Sequence, residues 1–140
     1  YPLRRQRQMC IRDSKRPQPE KNSADAIAAA AVQVAHTINA KAIVALTESG
    51  STALRVAREK PDCPVIGLTV NEAVSRRLAA VWGVHAVRAE AAHSMTQAVE
   101  HAQKIARVEG FASKGDEIVV VAGVPFGQAG TTNALRVAKL

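Results

Sequence analysis

Three short apolar runs, bounded by turn residues and separated by helix-patterned stretches, constrain the fold of this chain more than any other feature. They fall at residues 41–46, 64–69 and 117–122, and a further strand is expected at 84–89. Continuous apolar runs of this length suit strands covered on both faces, because a strand with one wet face would alternate. Strands that alternate with helices then require crossovers, which makes the sheet parallel with helices on both of its faces. The expected class is therefore α/β, a three-layer open sheet of about five strands.

The intervening segments supply the helices. Ser23 reads as an N-cap and Asp25 as a first-turn acid of an alanine-rich helix over 26–37. A second helix is expected at 50–60, stopped by Pro61, and a third at 71–82, opened by Asn71 and ended by Gly83. Ser94 and Gln97 have capping-box spacing and open a fourth helix that runs to about Gly110, with Val99, Ala102, Ile105, Ala106 and Val108 or Glu109 marking a buried-to-exposed face. Residues 134–140 instead alternate apolar and polar, which predicts an antiparallel edge strand with one exposed face.

Two loops carry the candidate chemistry. Thr47-Glu48-Ser49-Gly50-Ser51-Thr52 follows the first strand, and residues 123–133, with Gly123, Gly127 and Gly130, follow the fourth. Open sheets bind ligands beyond the carboxyl ends of their strands, where strand order reverses. If the first and fourth strands are neighbours, the two loops meet there. Thr47, Ser49, Ser51 and Thr52 offer hydroxyls, and Gly50 permits close backbone approach at a helix start whose free amides favour an anion. Phosphate is the ligand this suits. Gly127 and Gly130 supply amides and positive φ, while Phe126 covers the rest of a ligand. The same residue types also build an ordinary Ser/Thr helix cap and a long hairpin connection, so composition leaves those readings open.

Other chemistries lack their signatures. There is no GK[ST] element for nucleotide hydrolysis and no GxGxxG in the first crossover for a dinucleotide. His36, His85, His93 and His101 read as surface or packing histidines, and no nucleophile and base pair is proposed. Trp82 reads as a packing or interface residue, and Arg76-Arg77 as a solvated helix face or a subunit contact. Cys10 and Cys63 support neither a disulfide framework nor a metal cluster, which suits a reducing, cytoplasmic setting. No apolar run reaches the length of a membrane span.

Charge is concentrated at one end. Residues 1–21 hold seven of the 19 Lys and Arg but two of the 12 Asp and Glu, so five of the net +7 sits there. This stretch has three prolines and no apolar periodicity, and is expected to be a disordered basic lead-in. Its QMCIRDS segment is similar to a translated sequencing-adapter remnant, so part of it need not be native. The remaining +2 is an ordinary surface, which disfavours nucleic acid as a partner. Residues 22–140 are expected to form one domain.

The order of motifs adds to this reading. Residues 23–31 (SADAIAAAA), 42–50 (AIVALTESG), 82–84 (WGV) and 121–133 (VAGVPFGQAGTTN) closely resemble the C-terminal domain of bacterial pyruvate kinase, over essentially all of 22–140. The resemblance implies strand order 3-2-1-4-5 with the last strand antiparallel, an allosteric effector site and contacts within a homo-oligomer. It places the catalytic barrel, with its Mg and K, upstream, so no cofactor and no catalysis are expected of this domain alone. Carried over by position, Thr47, Ser49, Gly50, Ser51 and Thr52 hold the effector phosphate, and Pro125, Phe126, Gly127, Gln128 and Gly130 belong to the loop that closes over it. Glu48 stands where some fructose 1,6-bisphosphate-activated relatives place Lys, which is expected to bias the site towards a sugar monophosphate or AMP over fructose 1,6-bisphosphate, or to leave it unregulated. A freestanding sugar-phosphate-binding or interaction module is the alternative.

Overall fold

The computed structural model describes residues 22–140. The lead-in over 1–21 lies outside the described residues. The elements, in chain order, are α1 (Ser23–Ile38), β1 (Ile43–Leu46), α2 (Ser51–Arg58), β2 (Val65–Thr69), α3 (Glu72–Leu78), β3 (Val84–Arg88), α4 (Met95–Val108), β4 (Glu117–Gly123) and β5 (Thr132–Lys139). The sheet order is β3-β2-β1-β4-β5, parallel except for the antiparallel pair β4–β5. That is the order implied by the resemblance.

The two faces of the sheet bury different partners. Ile43, Ala45, Val65, Val119 and Val121 face α1, α2 and α3, while Val44, Ile66, Ile118 and Val120 face α4. Alternate residues of β1 and β4 therefore go to opposite cores, which is why these strands are apolar throughout. The helices approach closely because alanines meet the sheet. On α1 the stripe is Ala28, Ala31 and Ala35, and on α4 it is Ala98, Ala102 and Ala106. Val99 and Ile105, expected in the core, pack only at its margin.

Close approach also explains Gly67 in the middle of β2. A Cβ there would sit 3.0 Å from Leu78 Cδ1 and 3.5 Å from the Ala53 Cβ. Gly67→Ala is expected to destabilise the domain by about 1–3 kcal/mol through overpacking. A lower urea midpoint at unchanged m value checks it.

Helix boundaries moved from their sequence-based positions for identifiable reasons. The cap of α1 is Asn22, whose side chain accepts from the Asp25 amide at 2.8 Å, and Ser23 is already helical. The third helix stops at Leu78 rather than running to Trp82. Ala80 and Val81 donate to the carbonyls of Arg77 and Leu78, three residues back, and this tightens the chain out of the helix. Trp82 is left 84% exposed in the following turn.

Candidate functional site

Pairing of β1 with β4 makes the two candidate loops meet, since Ile43, Val44 and Ala45 lie in register with Val119, Val120 and Val121. A register shift at Ala122/Gly123 then sets Gly123 opposite Thr132. Any side chain at Gly123 would collide with Thr131, whose carbonyl oxygen would lie 2.7 Å from the added Cβ. The loops are joined by a buried hydrogen bond of 2.6 Å between the hydroxyls of Thr52 and Thr132, which are 80 residues apart.

The first loop turns through Gly50 at φ +92°, a conformation other residues rarely adopt. Gly50 is also the N-cap of α2 and offers no side chain to its first amides. Amides in the first turn of a helix have no intrahelical acceptor, so here they are available to an anion. Around them the loop is well held. Thr47 Oγ1 accepts from the Gly50 amide at 2.9 Å, Ser49 Oγ donates to Ser51 Oγ at 3.1 Å, and Arg77 of α3 donates to the Ser49 carbonyl at 2.9 Å. Arg77 thus braces the loop rather than merely lying on a solvated face.

The second loop is closed at its base by Asn133. Its side chain accepts from the Val124 amide at 2.8 Å and donates to the Val124 carbonyl at 2.5 Å. Within it Gly127 and Gly130 take φ of +88° and +79°, and Thr131 donates to the Gln128 carbonyl at 2.9 Å. The Val124–Pro125 bond is cis.

Between the loops lies a cleft of about 670 Å³, counted with its open mouth. Thr47, Glu48, Ser51, Thr52, Phe126, Gly127, Gln128 and Gly130 line it. Ser49, Gly50 and Pro125 do not: a Cβ on Gly50 would point at Val74 and Leu78, 3.4 and 3.5 Å away. Their part is in the shape of the loops. The ends of β2 and β3 and helix α4 complete the wall with Thr69, Glu90 and His101. Sequence alone discounted His101 as a helix histidine and did not single out Glu90, because only the packing of α4 against the sheet turns them towards the loops. No Lys or Arg lines the cleft among the described residues.

The remaining sequence candidates lie elsewhere. His85 Nε2 is 2.7 Å from Glu109 Oε2 and its ring stacks edge-on against Phe111, so it has an acid partner that its sequence neighbours did not reveal. His36 lies 3.8 Å from Asp62. Burial pushes the Cys63 thiol up, aided by the nearby Asp62 charge and only partly opposed by a backbone hydrogen bond, which keeps it from acting as a thiolate. Among the described residues no group of three or more His, Cys, Asp or Glu could hold a metal ion. Nor is any helix long and apolar enough to cross a membrane.

Residues 25–138, spanning every strand of this sheet and both loops, match the pyruvate kinase alpha/beta domain. The chain belongs to that family. It is 44% identical over 125 residues to pyruvate kinase of Methylorubrum extorquens, covering 89% of this chain and 26% of that enzyme. Against a pyruvate kinase of Agrobacterium vitis the identity is 40% over 130 residues, covering 93% and 27%. The enzyme of Lactobacillus delbrueckii subsp. bulgaricus is 38% identical over 115 residues, covering 82% and 20%. The chain thus spans about a quarter or less of the length of these pyruvate kinases. Its described residues form one open sheet, so the catalytic barrel that the resemblance assigns to an upstream region is not among them.

Proposed function

We propose that this chain is the regulatory domain of a cytoplasmic pyruvate kinase and binds a phosphorylated small-molecule effector in the cleft between the two loops. The parent enzyme would transfer phosphate from phosphoenolpyruvate to ADP, with this domain also contributing to contacts in a homo-oligomer. One observation carries the reading: the uncapped start of α2 opens between hydroxyl side chains, facing a glycine-rich loop at the point where strand order reverses. Three or four hydrogen bonds to a phosphate, at about 1.5–3 kcal/mol each, suffice to hold it without a Lys.

Electrostatics favour a monophosphate. Glu48 and Glu90 both line the cleft, and among the described residues no Lys or Arg offsets them there. A carboxylate about 5 Å from a second phosphate costs roughly 1–3 kcal/mol per unit charge at an effective dielectric between water and a protein surface. Glucose 6-phosphate and AMP are therefore expected to bind more tightly than fructose 1,6-bisphosphate. Glu48→Lys should raise the affinity for the bisphosphate by about tenfold or more. Isothermal calorimetry with the three ligands checks this. Bisphosphate binding as tight in the native chain as in E48K would contradict it.

A further inference from the structure

The cleft crosses the upper edge of the sheet from one layer to the other, and its far end has chemistry unlike the α2 end. Helix α2, packed on one face, brings amides and hydroxyls. Helix α4, packed on the opposite face, brings His101, and the segment between β3 and α4 brings Glu90. The His101 imidazole is partly buried and makes no hydrogen bond or ion pair with any described residue, whereas His85 and His36 both have acid partners. No ligating or bracing task inside the domain accounts for its place on the wall. Among the described residues the charged groups that share the cleft with it are Glu48 from the β1–α2 loop and Glu90; the β2 end and the β4–β5 loop present no charge there.

We propose that His101 and Glu90 form a second subsite that reads the hydroxyl groups of a sugar whose phosphate is held at α2, which makes His101 a specificity-determining residue. This rests on the phosphate reading of the cleft. A sugar ring presents hydroxyls that donate and accept, matching a carboxylate that only accepts and an imidazole that does both. A second phosphate would instead face carboxylates without a fixed cation. The subsite lies on α4, away from the phosphate loop, so the two contributions separate experimentally.

Calorimetric titration of the full chain, native, His101→Ala and His101→Gln, with glucose 6-phosphate and with inorganic phosphate tests this. The native chain should bind glucose 6-phosphate about tenfold or more tightly than inorganic phosphate. H101A should lose roughly 3- to 10-fold for the sugar phosphate, the equivalent of one hydrogen bond, and leave inorganic phosphate unchanged. H101Q, which keeps a donor and an acceptor, should recover part of that loss. Unchanged glucose 6-phosphate binding in H101A, or equal losses for both ligands, overturns the subsite while leaving the phosphate site intact. Failure of the native chain to bind either ligand overturns the phosphate reading and the subsite together.

Discussion

Asp25→Ala is expected to lower the melting temperature by on the order of 10 °C, the largest loss of stability from any single substitution considered. The Asp25 carboxylate is fully excluded from solvent. It lies 2.6 Å from Arg55 Nη1 and 3.0 Å from Arg58 Nη2, and accepts from Asn22 at 2.9 Å. One buried charge thus ties the start of α1 to two turns of α2, the helix whose opposite end forms the proposed phosphate loop. Removing it would leave the Arg55 guanidinium, with Nε already buried and without a hydrogen-bond partner, facing a hole. Breaking one side of a buried pair costs more than the pair itself contributes, because the remaining charge loses its compensation. Asp25→Asn, which keeps shape and hydrogen bonding, should cost less. Thermal melts followed by circular dichroism rank the three proteins.

The same carboxyl sets a pH dependence. Burial pushes its pKa up, but hydrogen bonds from Arg55 and Asn22, with the charges of Arg55 and Arg58, outweigh burial and hold it below the ordinary value. A carboxylate lowered on folding binds fewer protons in the native than in the unfolded state as pH falls through the usual carboxylate range. Its contribution is therefore complete above about pH 4 and disappears in stronger acid. The gap in stability between the native chain and D25N should be constant near neutrality and close on acidification below that range.

The second large effect concerns binding. Ser51 is the first residue of α2 and lines the cleft. Ser51→Asp puts a carboxylate where the phosphate is proposed to sit, at a cost of about 1–3 kcal/mol for each unit of ligand charge at about 5 Å. Phosphate and glucose 6-phosphate affinity should fall at least about tenfold. An acid in the first turn of a helix is itself stabilising by about 0.3–1 kcal/mol, so the melting temperature should hold or rise. Loss of binding together with undiminished stability separates an anion site from a loop that merely shapes the fold. Calorimetry and a thermal melt on the same preparation provide both readouts.

How much of this was legible in the sequence depends on the range of the interaction concerned. The strands were legible because β1, β2 and β4 are buried on both faces and leave an unbroken apolar signal. Asn71 and Ser94 cap α3 and α4 as expected, since a cap acts within three residues. The alternating pattern of the last strand also foretold its antiparallel edge position. Errors came where a local rule had a competitor. Asn22 rather than Ser23 caps α1, and α3 ends early through turns that its composition does not encode. On α4 Ala102 and Ala106 are buried as expected, whereas Val99 and Ile105 pack only at the margin, because close approach to the sheet selects small residues.

Long-range pairs were not legible at all. Asp25 with Arg55, Thr52 with Thr132 and His85 with Glu109 are separated by 30, 80 and 24 residues, and nothing local marks them. For the site, the sequence pointed to two loops, and the sheet order brings them together. What it could not supply was the division of labour within them, with Ser51 and Thr52 on the cleft wall and Ser49, Gly50 and Pro125 behind it. Nor could it supply the contributions of Arg77, Glu90 and His101, which come from elements distant in sequence.

The most direct test of the central claim is a backbone amide NMR titration of the chain with inorganic phosphate. Binding at the start of α2 should shift the amides of Ser51, Thr52 and Ala53 in a saturable way, accompanied by amides between Gly127 and Thr131. Shifts confined to other parts of the surface, with the first turn of α2 unmoved at saturation, would contradict a phosphate site in this cleft.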